Sequence, residues 1–480
     1  MASILTDTLK RDLVQKIFNE NEGTRIGDSD NNFYIAIGRS EAWDDPVNIN
    51  ISDTNPPGFS VNAREEREFR FSMQSVKALD AFSWVVPKRD WTSGDTFYQF
   101  SDHETVNHPV DQTPYVITED NNVYLCIKSN KNTAGEEQPS TVKPDHTNST
   151  LTEETDGYIW KFLYSINVTD ANNFMTTAWI PLKYVDSAPA DDPYFSQYLV
   201  KQAADSAQIV GYQVINGGSG YPTGAGDVTL EVIGNGAGAT ARASVTSSGV
   251  IGHVLIGDSA GVGQAPYPLF QDAMGSQYDY AEVKITANTG SGAIIKPVFS
   301  PKDGLGHNPI NDLKSNALMF NIKPDGQEIV DGDPKFVIDQ NYRQIALIKN
   351  PTLYDSAEKF TATSGLALWR MTLDAQYTGL DFNDIIEENG GDAKGILDWS
   401  DAKSPNTSIW YHQNDITTGF TQFTNGDTID IGDTTGIVAD SARISPDIDP
   451  YSGDLLFLAN IDPKTRDEDQ TEDIKVVIRL

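Results

Sequence analysis

Gly157-Tyr158-Ile159-Trp160-Lys161-Phe162-Leu163-Tyr164-Ser165-Ile166 decides the fold class. Tyr158, Trp160, Phe162, Tyr164 and Ile166 recur at every second position, the period of a pleated strand. Such a run of large side chains predicts a strand with one face on a hydrophobic core. Moving outward, residues 129–155 are polar and read as a surface loop. Before them, residues 115–118 and 123–128 flank Glu119-Asp120-Asn121-Asn122, the pattern of a hairpin. Further buried strands are expected at Phe33-Tyr34-Ile35-Ala36-Ile37, Trp84-Val85-Val86-Pro87, Phe336-Val337-Ile338 and residues 342–348, then near both 454–459 and 474–478. Residues 75–81 read as a short helix. Residues 3–18 set Ile4, Leu5, Leu9, Leu13, Val14, Ile17 and Phe18 at helical spacing around Lys10, Arg11 and Asp12. That is an amphipathic helix packing on something, not a signal peptide or anchor.

The chain has 480 residues, more than one core usually organises, with 38 Gly, 24 Pro and 19 Tyr suited to short strands and turns. The expected class is mainly β: multi-domain antiparallel sandwiches or barrels with few short helices. Composition divides it further. Residues 205–308 are rich in Gly, Ala and Val and hold a degenerate repeat. Asp227-Val228-Thr229-Leu230 with Gly236-Ala237-Gly238-Ala239 recurs as Glu282-Val283-Lys284-Ile285 with Gly290-Ser291-Gly292-Ala293. Gly217-Gly218-Ser219-Gly220-Tyr221 and Gly304-Leu305-Gly306-His307-Asn308 bracket the pair, so a compact inserted β module is expected. Residues 381–450 turn polar again around the alternating Thr428-Ile429-Asp430-Ile431, a second, smaller β appendage. The expected organisation is a core at 1–204, the Gly-rich module at 205–308, core again at 309–380, the appendage at 381–450, and core strands at 451–480.

Charge excludes more than it selects. Lys and Arg number 35 against 69 Asp and Glu, so the net charge is 35 − 69 = −34. Such a surface repels phosphate backbones and anionic headgroups. The densest basic stretch, Arg64-Glu65-Glu66-Arg67-Glu68-Phe69-Arg70, is interleaved with Glu. Nucleic acid and membrane are therefore not expected partners, and no apolar run reaches spanning length. A single cysteine, Cys126, allows no intrachain disulfide and suits a reducing compartment.

No catalytic constellation stands out. The six His (103, 108, 146, 253, 307 and 412) include no HExxH pair. His103 and His108 share a loop and read as solvated rather than as ligands. Asp28-x-Asp30-x-Asn32 starts like a calcium loop, but Phe33 occupies the glycine position and Arg39 the place of the closing Glu. Gly234-Asn235-Gly236-Ala237-Gly238 lacks the Lys-Ser/Thr of a phosphate cradle and reads as turn glycines. Cys126 sits mid-strand as a structural thiol. Close carboxylate pairs prove nothing among 69 acids. No catalytic residue, metal or cofactor is expected.

Six stretches in collinear order resemble the baseplate wedge subunit encoded by the eighth tail gene of T-even-type phages. They are residues 33–43; Val85-Val86-Pro87-Lys88-Arg89-Asp90-Trp91; residues 156–166; residues 342–351; Ser452-Gly453-Asp454-Leu455-Leu456-Phe457; and residues 469–478. Together they reach both ends of the chain but cover a minority of it, and the segments 205–308 and 381–450 fall outside them. The positions carrying the likeness are Gly38, Arg39, Trp43, Pro87, Arg89, Asp90, Trp91, Asp156, Gly157, Trp160, Arg343, Gln344, Asn350, Pro351, Gly453, Asp469, Gln470 and Thr471. Their Arg and Trp side chains suit either interface anchors or locks at strand ends inside the monomer. The resemblance implies a structural subunit of the virion's tail baseplate, made in the host cytoplasm. It would be a homodimer joined to other wedge proteins around a central hub, and would take part in the rearrangement that triggers sheath contraction. The alternative is a tail adhesin gripping host-surface glycans through its inserts.

Overall fold

In the computed structural model the stretch that opens the sequence reading is a strand, Ile159–Ser165, buried on both faces. The structure describes residues 6–18, 32–43, 51–57, 62–102, 113–189, 194–223, 228–257, 273–324, 329–330, 333–336, 340–400, 407–441, 443–467 and 470–479. The chain is mainly β, with antiparallel sheets and few short helices. It divides into two compact units. The first comprises Met1–Val14, Ser83–Met319 and Arg479–Leu480, the second Gln15–Phe82 and Phe320–Ile478.

In the first unit Ile159–Ser165 lies in a four-stranded sheet, between Asn122–Lys128 and Leu151–Glu153, with Tyr115–Ile117 at the far edge. The expected hairpin is present. Val116 pairs with Tyr124, and Asn121 takes the left-handed conformation in the turn. The single-face stripe needs correction. Tyr124 pairs with Phe162 but Val123 with Tyr164, so one extra residue, Leu163, enters the strand. A bulge of one residue inverts a period of two. Tyr158, Trp160 and Phe162 therefore join one buried cluster with Tyr124 and Cys126, whereas Tyr164 and Ile166 turn to the opposite cluster with Ile159 and Leu163.

In the Gly-rich segment the two copies of the repeat are paired strand to strand. Val228–Gly234 pairs antiparallel with Ala281–Ala287, Leu230 opposite Ile285. The two repeat strands sit side by side in a sheet that continues through Ala241–Val245 to Ile251–Ile256. The second half of each repeat is clamped by a Gly-Ser-x-Tyr turn from elsewhere in the module. Tyr278 Oη accepts from Ala239 N and Tyr221 Oη from Ala293 N, both at 3.3 Å. Gly275 and Gly218 occupy matching left-handed positions, at φ 63° and 62°. The structural counterpart of residues 218–221 is thus Gly275-Ser276-Gln277-Tyr278. The loop at 304–308 has a different place: Gly304 and Gly306 are pressed against Asp205 and Lys161.

The second unit is built on a five-stranded sheet in the order Ser364–Leu366, Met73–Ala78, Phe33–Gly38, Asn341–Lys349, Asp454–Thr465. The helix expected at 75–81 is not formed. Ser75 and Val76 lie inside this sheet, paired with Ile37 and Ala36 on one side and Leu366 and Gly365 on the other. Burial between two strands overrides the local pattern. The helix stands just upstream at Asn62–Phe71, with Glu65 in its first turn, Arg70 in its last, and Arg64 bonded to Glu68 at 2.6 Å. Both placements favour a helix. A six-stranded sheet spans Trp369–Thr372, Ser408–His412, Lys394–Ser400, Ile385–Glu388, Thr428–Ile431 and Thr434–Val438. It takes in residues on the N-terminal side of position 381. Near the chain's start, Asp7–Phe18 is helical, with Val14 buried and Leu9 and Leu13 exposed.

Candidate functional site

The densest polar constellation gathers in the second unit, at the end of Phe33–Gly38. A Cβ on Gly38 would meet Ser72 O at 2.9 Å and Met73 Cα at 3.1 Å, so only glycine lets the chain turn there. Arg39 follows in the left-handed conformation at φ 64°. Its guanidinium lies 3.8 Å from the Trp43 ring centre and 3.2 Å from Glu68. Arg343, almost wholly buried, grips Asp53 through two bonds of 2.8 and 3.0 Å and donates a third to Ser40 O. Asp53 also accepts from Trp43 N at 3.0 Å. The neighbouring Gln344 donates to Glu65 at 3.2 Å and Asn460 at 2.8 Å.

Three further residues, Asp398, His412 and Glu41, extend this network from Ser40. Ser40 Oγ donates to Asp398 Oδ1 at 3.1 Å, Asp398 Oδ2 meets His412 Nδ1 at 2.6 Å, and His412 Nε2 meets Glu41 Oε1 at 3.1 Å. Burial opposes charge on His412 most strongly, but Asp398 and Glu41 on its two nitrogens together outweigh it and push the imidazole up to about 10. Burial likewise opposes charge on Glu41, yet the His412 charge and hydrogen bond hold it down at about 2. The residue types are those of a hydrolytic triad, but the wiring differs. The serine hydroxyl is bound to the aspartate, and a doubly bonded imidazolium has no lone pair with which to activate a nucleophile. The constellation is an ion network that fastens the 38–43 turn to two strands of the six-stranded sheet.

The first unit uses its motif residues in the same manner. Pro87 O accepts from Tyr115 Oη at 2.8 Å, and Arg89 pairs with Asp95 at 3.1 Å. Asp90 is exposed beside Lys88, at 3.0 Å. Trp91 Nε1 donates to Ser140 Oγ at 3.2 Å, and Ser140 donates to Asp156 at 3.0 Å. Asp156 also accepts from Thr141 N and Val142 N at 2.7 and 3.0 Å, pinning the long polar loop to the start of the Ile159–Ser165 strand. Gly157, at φ 87°, makes that turn. Trp160 is fully buried and stacked on Tyr158 with ring centres 5.7 Å apart.

Two groups remain. Asn350 and Asn32 exchange hydrogen bonds at 2.8 Å, and a Cβ on Gly453 would meet Lys349 O at 2.8 Å and Pro351 Cα at 3.0 Å. These residues hold one backbone crossing in the second unit. Gln470 and Thr471 are exposed in a turn, where Gln470 N donates to Asp467 O at 3.1 Å; Asp469 lies outside the described residues.

Sequence reasoning missed Ser40, Glu41, Asp53, Asp398 and His412, because each carries an unremarkable local signal and the partners are hundreds of positions apart. Cys126 is fully buried, and burial holds its thiol well above the ordinary value. His103, His108 and most of the calcium-like stretch at 28–32 lie outside the described residues. Among the described residues no group of three His, Cys, Asp or Glu side chains is placed to hold a metal. No family model matches the chain, and no curated protein matches it significantly.

Proposed function

We propose that this chain is a structural baseplate wedge subunit of a contractile phage tail, working by assembly and catalysing nothing. The mutual placement of the stretches that resemble that family carries the proposal. Asn341–Lys349, which holds Arg343 and Gln344, lies between Phe33–Gly38 and Asp454–Thr465, so three stretches distant in sequence are neighbours in one sheet. In the first unit Trp91 and Asp156, from two further stretches, meet through Ser140. That many of the positions carrying the likeness pair or bond within the frame of their own unit supports a scaffold. The ion network around His412 is likewise bonded internally, as a lock rather than a reactive cleft.

The outer surface supports assembly. Two helices each carry an apolar pair one turn apart to solvent: Leu9 and Leu13 on Asp7–Phe18, and Phe195 and Leu199 on Tyr194–Gln202, all 43–47% exposed. Such pairs suit docking onto neighbouring subunits. In the proposed role the chain pairs with itself and joins other wedge proteins around the hub, and the baseplate switches between two arrangements of these interfaces when the sheath contracts. Co-expression with the other wedge proteins tests this. The expected outcome is a stable co-complex at equimolar ratio, weakened when Leu9 and Leu13 are both changed to Ser. Purified tails lacking this polypeptide would overturn the proposal.

A further inference from the structure

On the surface of the second unit three rings from distant parts of the chain meet. Phe71 closes the helix Asn62–Phe71, Phe420 lies in the loop after Ser408–His412, and Tyr451 sits in the turn before Asp454–Thr465. The Phe71 ring centre is 5.3 Å from that of Phe420, inclined at 49°, and 5.9 Å from that of Tyr451, inclined at 70°. Phe71 is partly buried, whereas Phe420 and Tyr451 are 51% and 54% exposed. Ile416, one short step back in the same loop as Phe420, is 70% exposed. Single apolar side chains are ordinary on a surface, but a joined aromatic patch marks a place of contact.

The patch is held rigid from both sides. Arg70 donates to Pro450 O, Ser452 O and Gly453 O at 2.9, 3.0 and 3.1 Å, which fixes the turn carrying Tyr451 against the end of the helix. In the other loop Asn414 Oδ1 accepts from Ile416 N and Thr417 N at 3.1 and 2.6 Å, and Thr418 Oγ1 accepts from Asn414 N at 2.8 Å. Rings placed in advance lose little freedom when a partner covers them.

Charge selects the partner. An aromatic face carries the negative side of the ring quadrupole and attracts cations. Elsewhere the chain covers such faces with its own guanidinium groups, Arg39 at 3.8 Å from Trp43 and Arg443 at 3.7 Å from Trp369. Among the described residues no Lys or Arg lies over Phe420 or Tyr451. The nearby guanidinium groups are matched, Arg67 to Asp415 at 3.8 Å and Arg70 to Glu66 at 3.7 Å. Asp449, whose Oδ1 accepts from Tyr451 N at 2.9 Å, has no cationic partner among the described residues. Burial first, and then Asp449, Tyr354 and Asp415, push the Tyr451 phenol up to about 12, in keeping with carboxylates close at hand. A second copy of a chain with net charge −34 is repelled from such a place. Rings inclined at 49° and 70° present no common plane on which a sugar could lie.

We infer that this patch docks a basic segment of another protein, seating an Arg or Lys side chain over Phe420 and Tyr451 beside Asp449, with the segment's apolar residues against Ile416. Aromatic anchors with a charged neighbour are the usual make-up of interface hot spots. The inference names the chemistry of a partner and stands on the patch alone, whether or not the chain belongs to a baseplate.

The test uses the full chain and three synthetic tripeptide amides, Arg-Leu-Arg, its neutral isostere citrulline-Leu-citrulline, and Glu-Leu-Glu. Saturation-transfer NMR and calorimetric titration should show saturable binding of Arg-Leu-Arg with a Kd of about 1 mM, at least ten-fold weaker binding of the citrulline peptide, and none of Glu-Leu-Glu. Phe420→Leu and Tyr451→Leu keep an apolar side chain and the net charge while removing a π face. Each should weaken Arg-Leu-Arg about two- to five-fold, and the double variant about ten-fold, with the unfolding midpoint unchanged. Asp449→Asn keeps the acceptor for Tyr451 N and should weaken the peptide about two- to five-fold. Equal binding of the citrulline peptide would reduce the contact to apolar burial and overturn the inference. Undiminished binding in the double variant would do the same, leaving only attraction by net charge. So would tighter binding of glucose than of Arg-Leu-Arg, or a fall in the mass of the free protein in the double variant, which would make a glycan or a second copy the occupant. None of the peptide readouts involves tail proteins, so failure here is distinguishable from failure of the scaffold role.

Discussion

His412 shows how much one side chain can hold. Its folded value near 10 lies above the ordinary 6.5, so the charged form is favoured by folding. That contribution is complete below about pH 6.5 and is lost as pH rises through 10. Glu41, held near 2 against an ordinary 4.5, contributes stability above 4.5 that is lost as pH falls through 2. The two windows overlap between about pH 4.5 and 6.5. Urea unfolding of the second unit, followed through the Trp399–Trp410 pair, should be hardest there. In His412→Gln the alkaline decline should flatten, with a loss of about 3–5 kcal/mol near pH 6 because the buried Asp398 and the partly buried Glu41 are left uncompensated. An alkaline branch identical to the parent's would refute this. Asp312 behaves oppositely. Burial raises its carboxyl to about 7, only partly offset by the Gly306 N–H and by Lys161. Folding therefore favours the neutral form, and the penalty grows from the ordinary 3.8 up to pH 7 and then levels. Asp312→Asn should match the parent near pH 4 and exceed it in thermal midpoint at pH 8. None of this was legible in the sequence. Asp398 sits 358 positions from Ser40, and among 69 carboxylates no local pattern marks the few that are buried.

At the scale of elements, the sequence spoke clearly where periodicity or turn chemistry acts locally. The hairpin around residues 118–122 and the Ile159–Ser165 strand both follow from patterns a few residues long. It misled where a single residue changes phase. The bulge at Leu163 has no signature of its own, since it depends on how Asn122–Lys128 pairs across. Residues 75–81 likewise read as helical until two neighbouring strands bury them. The Gly-Ser-x-Tyr turns were hidden because Gly220 in one copy is Gln277 in the other, and because each turn clamps the opposite repeat. Their equivalence is testable. Tyr221→Phe and Tyr278→Phe each remove one hydroxyl that accepts a backbone N–H at 3.3 Å. Equal losses of about 0.5–1.5 kcal/mol are expected from the two variants, and a clear inequality would show that the copies have diverged in energetics. Gly252→Ala should cost more, about 1–3 kcal/mol in thermal unfolding, since its methyl would strike backbone rather than a movable side chain.

For the molecule as a whole, composition was enough for the class: mainly β, more than one unit, strongly acidic. It could not give the division of the chain, because each unit is assembled from segments far apart, with one stretch from 83 to 319 set within the other. Composition along the chain does not say which sheet the edges of a stretch join, as the strand Trp369–Thr372 illustrates. The proposed homodimer predicts twice the mass of the 480-residue chain by light scattering at micromolar concentration. A mass of one chain would count against it. With a net charge of −34, self-association through the apolar helix pairs should strengthen as salt screens the repulsion.

The lone sulfhydryl lends itself to watching this protein work. Cys126 lies on the hairpin's second strand, its side chain sealed in the cluster with Tyr124, Trp160 and Phe162. A chromogenic disulfide reagent can react only when that cluster opens, so its rate of colour development is a stopwatch for opening at one known place. Run on free chain and on assembled particles, the same assay would register whether neighbours tighten the frame, with no engineered label required.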